Sequence, residues 1–326
     1  MKNSDKAKIP LGEADAGGDF ENSLKEFGTE AALTSEAEKK RRNKRIFNIV
    51  IISFIAVCAA VLVVCIFLIV GNLSDKERGE EVYNDAASMF DPTSILNSDD
   101  SQTAGDAAPK SLYDRIKDLY DGNLNDDGEG TVDMSNIRAS LSSLKQINDD
   151  VVGWIYVENT KINYPLMRST NGDDDYYLTH AYNGEYLSVG SIYMVSSCDP
   201  KPDNNYNTLI YGHNVVNGSM FHDVLTFLDP EFFTTNIYIY TLDGVYVYQP
   251  FSIYQTQSDY NYIQTQFGSE KEFLDFAAEM KANSAVSSNV TVGEGDTMIT
   301  LSTCINGGFA SKARYSLHAK LIDIIN

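Results

Sequence analysis

A cysteine closing a β-prone run is the residue in this chain best suited to covalent chemistry. Thr300-Leu301-Ser302-Thr303-Cys304 stops on the thiol and passes into Asn306-Gly307-Gly308, so the pattern predicts a nucleophile where a strand ends. A thiol attacks as its thiolate and needs a base or a cation beside it. The chain holds four histidines, His180, His213, His222 and His318. His213 is the best placed, because it follows the apolar run Thr208–Tyr211 and precedes the polar stretch Asn214–Ser219, a second strand end opening into a loop. Arg314 opens the next β-prone run, ten residues beyond Cys304. A strand-turn-strand connection would bring its guanidinium back to the thiol, where a fixed cation stabilises both the thiolate and the oxyanion of a tetrahedral intermediate. Nucleophile, proton carrier and oxyanion donor are the parts that acyl transfer needs.

Each of these residues alone also fits a duller place, as a small core thiol, a hydrogen-bonded imidazole or a surface cation. Cys198 lies in Ser196–Asp203, which contains Pro and Asp and lacks flanking strand order, and is the weaker nucleophile. A Cys198–Cys304 disulfide and two free thiols both fit the sequence. Zinc held by His213, His222 and a cysteine is disfavoured because no paired ligand spacing is present; no metal and no cofactor are expected. Asp121–Asp133 has Asn123, Asn125, Asp127 and Gly128 in the manner of a calcium loop. Met134, however, stands twelfth from Asn123 where a bidentate Glu belongs, and a solvated turn is expected.

The elements that must position these groups are mostly strands. Gly153–Val157, Ser191–Val195, Thr208–Tyr211, Met298–Thr303 and Tyr315–Ile325 are short, apolar and rich in Ile, Val and Tyr. Ile237–Tyr240 and Val245–Tyr248 alternate about Asp243-Gly244, which predicts a hairpin. Such spacing points to a closed or nearly closed β-barrel. Two helical stripes precede it, Leu112, Ile116, Leu119 and Tyr120, then Ile137, Leu141, Leu144 and Ile147. One helix interrupts the strands late in the chain: Ser269 and Glu272 form a capping box ahead of Phe273, Phe276, Ala277 and Met280.

The N-terminal part has a different character. Lys39, Lys40, Arg41, Arg42, Lys44 and Arg45 precede an uncharged run from Ile46 to Val70 that only Asn48 and Ser53 interrupt. At about 1.5 Å per residue this run crosses a hydrocarbon core of roughly 30 Å, and its polar leader is too long for a cleaved signal peptide. The basic flank places the N-terminus in the cytoplasm. The expected organisation is a cytoplasmic tail at 1–45, a transmembrane helix at 46–70 in contact with lipid, a flexible stalk at 71–110 and a catalytic domain at 111–326. The stalk rests on composition, with Ser, Asp, Ala, Gly and Thr abundant and large apolar residues few. Cys58 and Cys65 fall within the span and are read as packing residues.

The 326 residues carry 25 Lys and Arg against 46 Asp and Glu, a formal net charge of −21. Residues 1–73 hold 10 basic and 9 acidic side chains, so almost all the negative charge lies beyond the span. Nucleic-acid binding is excluded as a function class, since phosphate contacts need clustered cations. Solubility accounts for the charge, and attraction of cationic partners such as substrate amines is the functional alternative.

Together these residues resemble the sortase family. TLSTC at 300–304, the arginine of Arg314-Tyr-Ser-Leu-His-Ala-Lys-Leu, and Tyr211-Gly-His-Asn with Gly218-Ser-Met-Phe are similar to its motifs. Val152-Gly-Trp-Ile, Asn159-Thr-Lys-Ile-Asn-Tyr-Pro, Tyr176-Tyr-Leu-Thr-His and Gly190-Ser-Ile-Tyr, with the two N-terminal helices, resemble class B, and the likeness covers about residues 110–326. The resemblance implies a mainly β protein, a closed eight-stranded barrel with N-terminal helices and one long helix inserted late, and a cysteine transpeptidase on the outer face of a Gram-positive cell membrane. It implies that Cys304 attacks a Thr carbonyl in the C-terminal sorting motif of a secreted protein. His213 then protonates the leaving amine, Arg314 steadies the oxyanion, and a cell-wall peptide amine resolves the thioacyl enzyme. Leu178, Tyr211, Ser302 and Thr303 should line the peptide groove, and Asp174 falls where an asparagine is common. A pilin polymerase using a pilin Lys as acceptor, a plain cysteine peptidase and a catalytically silent membrane-tethered binding module are the alternatives that stay open.

Overall fold

The structure is a computed structural model and describes residues 16–96, 110–122, 132–305 and 312–326. The chain divides into two compact units, Met1–Gly71 and Asn72–Asn326. Helix α1 (Ala16–Ser88) begins in the first unit. The apolar run 46–70 lies within it with its large side chains exposed, including Ile46, Phe54, Leu62 and Phe67, so this helix is long and apolar enough to cross a membrane.

The second unit is built on a closed barrel of eight strands, β1 (Val151–Val157), β2 (Asn163–Arg168), β3 (Ile192–Met194), β4 (Asn207–Tyr211), β5 (Ile237–Tyr240), β6 (Val245–Gln257), β7 (Met298–Cys304) and β8 (Ala313–Ile325). Around the barrel they run β1-β2-β3-β4-β7-β8-β6-β5. Closure leaves no open edge. The expected hairpin is present, with Ile237 opposite Tyr248 and Tyr240 opposite Val245. Thr241 N–H donates to Gly244 O at 2.9 Å to close its turn. Two pairs are parallel, β2 with β3 and β4 with β7. The second of these sets the site.

Helices pack around the barrel. In α2 (Leu112–Gly122) Leu112 and Ile116 are buried while Leu119 and Tyr120 pack partly buried. In α3 (Ser135–Ile147) Ile137, Leu141 and Leu144 are buried, whereas Ile147, the last residue of its expected stripe, is exposed where the helix ends. Between β6 and β7 lies α4 (Glu270–Ala282). Its Ser269 hydroxyl accepts from Glu272 N–H at 3.2 Å, and the Glu272 carboxylate accepts from Gly268 N–H at 2.8 Å, so the capping box forms with its return bond one residue early. Phe273, Phe276, Ala277 and Met280 are buried beneath it.

Residues 74–96 depart from the stalk expected at 71–110. They are helical to Ser88, and Tyr83, Ala86, Phe90 and Ile95 are buried in the main core. Phe90 stacks on Trp154 at 4.6 Å, and Tyr240 Oη donates to Pro92 O at 3.0 Å. The composition is polar, but a few apolar anchors bury enough surface to order the segment. The remainder of that stretch, 97–109, lies outside the described residues, as does most of the expected solvated turn, 123–131.

His318 serves the barrel rather than catalysis. It is fully buried, and a chain of hydrogen bonds satisfies both ring nitrogens. Thr300 Oγ1 donates to Asn207 Oδ1 at 2.8 Å and accepts from His318 Nδ1 at 2.9 Å, while Ser316 Oγ donates to His318 Nε2 at 2.9 Å. Burial pushes this imidazole down from 6.5 to about 3. The folded state therefore rejects a proton that the unfolded chain accepts, and stability present above pH 6.5 is lost as the pH falls towards 3. The expected slope over that window is on the order of 1 kcal/mol per pH unit. Thermal melts of the chain and of His318→Gln between pH 7 and pH 4 check this: the variant should start less stable and show the shallower slope, and equal slopes would refute it.

Candidate active site

The barrel register assembles the site. In the parallel pair, Tyr211 of β4 lies opposite Ser302 of β7. His213, two residues past Tyr211, and Cys304, two past Ser302, therefore arrive at the same end of neighbouring strands. Gly212 N–H carries the pairing on by donating to Ser302 O at 3.2 Å. Gly212 has no room for a side chain, since a Cβ there would stand 2.4 Å from Ile192 Cδ1 and 2.7 Å from the Phe221 ring. In the antiparallel pair on the other side, Cys304 is the direct partner of Arg314. The turn-back expected from sequence thus puts the guanidinium-bearing residue beside the thiol-bearing one.

The eight residues expected to carry catalysis or hold the peptide line one open cavity of about 500 Å³: Asp174, Leu178, Tyr211, His213, Ser302, Thr303, Cys304 and Arg314. Cys304 is partly exposed and is a free thiol. Cys198 is buried, is also free, and donates weakly from Sγ to Asn207 O at 3.7 Å. Burial pushes its thiol up, the opposite of what a nucleophile needs. It is absent from the cavity lining.

His213 Nε2 donates to Leu178 O at 2.8 Å, so that nitrogen carries a hydrogen. Burial pushes the imidazole below its usual range, the Leu178 carbonyl works against that, and the Arg314 charge adds to it. The ring is thereby kept mostly neutral at pH 7, able to take a proton and quick to pass it on. His180, by contrast, stacks on Tyr176 at 3.9 Å and donates from Nδ1 to Tyr176 O. His222 Nδ1 lies 2.8 Å from Asn214 Oδ1.

Two residues that the sequence reading gave no role brace the arrangement. Asn214 Nδ2 donates to Cys304 O at 3.0 Å while its Oδ1 accepts from His222, tying the histidine segment to the cysteine backbone. Tyr262, also in the cavity wall, lies with its hydroxyl 2.9 Å from Ser302 Oγ. Tyr262 lies in no motif, whereas Asn214 closes the Tyr211-Gly-His-Asn segment beside His213. Asp174 is held by Ser196 N–H donating to Oδ1 at 2.8 Å, with its carboxylate in the cavity wall. Thr303 Oγ1 is buried and has no hydrogen-bond partner among the described residues. Residues Asn306–Gly308, expected to follow the nucleophile as a loop, lie outside the described residues. No group of three or more His, Cys, Asp or Glu side chains able to hold a metal occurs among the described residues.

Comparison with known proteins gives consistent matches. The family model described as a sortase domain matches residues 155–322. A sortase B from Listeria monocytogenes is 36% identical over 227 residues, covering 68% of this chain and 85% of the relative. Two solved structures of sortase B, the Staphylococcus aureus sortase B–substrate complex and a sortase B complexed with triglycine, are each 33% identical with a TM-score of 0.53. Each covers 57% of this chain, and they are covered over 86% and 87% of their own length.

Proposed function

The chain belongs to the sortase family, class B, whose members are cysteine transpeptidases, and on that premise we propose that it cleaves a C-terminal sorting motif of secreted proteins after Thr and joins the acyl part to a cell-wall peptide amine. The observation that most supports this reading is the meeting of Cys304, His213 and Arg314 on one cavity through the β4–β7 and β7–β8 registers. Cys304 Sγ attacks the Thr carbonyl carbon and gives its proton to His213. The Arg314 guanidinium balances the oxyanion. When the C–N bond breaks, His213 returns the proton to the leaving amine, leaving a thioester on Cys304. An incoming amine repeats the steps in reverse, with His213 taking its proton.

Leu178, Tyr211, Ser302 and Thr303 are proposed to hold the sorting peptide, and the Thr303 hydroxyl offers it a buried hydrogen bond. Asp174 brings a charge to a place where an amide is common in the family, which favours a donor-bearing or cationic group on the peptide beside it. Solved sortase B structures with a substrate and with triglycine make a peptide donor and an amine acceptor the natural pair. The basic flank at 39–45 supports a cytoplasmic N-terminus and an extracellular catalytic unit.

The test is to incubate the full chain in detergent with a tagged sorting peptide and either cell-wall stem peptide or a pilin subunit, and to weigh the products. A stem-peptide conjugate is the expected result. A pilin conjugate would move the assignment to pilus assembly, hydrolysis that no amine redirects would make the chain a peptidase, and no processing at all would leave a silent binding module.

A further inference from the structure

The juxtamembrane end of α1 touches both chain segments that hold His213. On one side Tyr83, which is buried, donates from Oη to Gly190 O at 2.5 Å and lies 3.0 Å from Ser191 Oγ. Gly190 sits at φ +55°, so close beneath the next layer that a Cβ would fall 2.4 Å from Tyr177 O and 2.6 Å from Leu178 O. Ser191 N–H donates to Tyr177 O at 2.9 Å. Leu178 O is the acceptor for His213 Nε2. Arg78 pairs with Glu185 at 2.8 Å, and Gly79 packs on Val189 and Leu187, fixing the same segment at its other end.

On the other side the Tyr83 ring meets Tyr164 edge-on at 5.3 Å, and the Tyr164 hydroxyl accepts from Met220 N–H at 2.9 Å. Glu80 Oε1 accepts from Asn217 Nδ2 at 2.9 Å. Met220 bridges to Asn214, and Phe221 N–H donates to His213 O at 2.8 Å. One tyrosine thus stands behind both the acceptor of the imidazole and the backbone that carries it.

We propose that Tyr83 is a positioning residue for His213, so that the helix emerging from the membrane-spanning run sets the orientation of the proton carrier. Its hydroxyl pins Gly190-Ser191, these hold Tyr177-Leu178 through direct backbone contact, and the Leu178 carbonyl fixes the imidazole with Nε2 protonated. A small displacement of a proton carrier costs rate while leaving peptide binding largely alone. The inference rests on the proposed role of His213.

The test uses the full chain in nanodiscs, labelled with ¹⁵N-histidine. Tyr83→Phe keeps the ring packing and removes the hydroxyl; Tyr240→Phe removes a comparable buried hydroxyl that anchors the same polypeptide at Pro92, away from His213. Tyr83→Phe is expected to lower kcat about tenfold with KM for the peptide within about twofold. The His213 ring signals should move from a fixed Nε2–H form to a tautomer mixture. Tyr240→Phe should leave kcat and those signals in place. Wild-type kcat and His213 signals in Tyr83→Phe, or equal losses in both variants in step with their melting temperatures, would overturn the proposal. Should Tyr83→Phe fail to fold, Glu80→Ala on the exposed side of the same turn must shift the His213 signals, and unmoved signals would overturn it equally. His213→Ala run alongside separates the two readings: if that variant stays active the proposed function falls, and if it is inactive while Tyr83→Phe behaves as wild type, only this inference falls.

Discussion

Cys304→Ala is expected to abolish both cleavage and transfer, with a loss of at least about ten-thousandfold in kcat/KM, since no second thiol borders the cavity among the described residues. The physical basis is specific to this position. β7 delivers the thiol to the cavity partly exposed, next to the strand partner that bears a permanent cation. Cys198 cannot substitute, because it is buried in the connection between β3 and β4, beside Asn207, and burial disfavours its thiolate. Steady-state assays with a fluorogenic sorting peptide measure the loss. The variant should melt close to the parent, because the side chain borders the cavity rather than filling the core. Processing that survives in Cys304→Ala would remove the cysteine from the chemistry.

The second large effect concerns the two groups on either side of the thiol. His213→Ala and Arg314→Ala are each expected to lower turnover by more than about a hundredfold while the domain stays folded. Losing His213 removes the carrier that links thiol and leaving amine. Losing Arg314 removes the charge opposite the oxyanion and also one of the causes that hold the imidazole low, so the His213 titration should move up in Arg314→Ala. That upward move has an observable consequence: the limb of the kcat profile governed by His213 shifts to higher pH in Arg314→Ala. Arg314→Lys keeps the charge but loses the planar fork, and should recover only part of the rate. Near-native turnover in His213→Ala or Arg314→Ala would take that residue out of the mechanism.

The candidate site is more legible in the sequence than the scaffold around it. Cys304, His213 and Arg314 each stand at a strand end next to polar sequence, and strand ends are visible as changes from Ile, Val and Tyr to Asn, Gly and Ser. The hairpin about Asp243-Gly244 and the capping box at Ser269 are visible because turn and cap chemistry is local. β2 escapes a reading by pattern: Pro165 stands inside it opposite Trp154, and an internal proline argues against a strand unless the ladder tolerates the missing donor. Parallel partners such as β2 with β3 leave no short-range signature, because their register is set by contacts far apart in sequence.

The segment 74–96 shows a different failure. Gly79, Tyr83, Ala86 and Phe90 are spaced four, three and four apart, a helical stripe diluted by Asp, Glu, Asn and Ser, so that composition outweighs periodicity. The bracing roles of Asn214 and Tyr262 cannot be read from the sequence, since a polar residue that braces a backbone looks like any other until the register is known.

The most direct measurement of the central claim is to catch the acyl group on sulfur. The full chain is mixed with sorting peptide in the absence of any amine, quenched in acid and examined by intact-mass and peptide-level mass spectrometry. The account predicts a mass gain equal to the fragment ending in Thr, located on Cys304, absent in Cys304→Ala and discharged when stem peptide is added. A processed peptide with no adduct on Cys304, or an adduct on Cys198 that an amine cannot discharge, would contradict it.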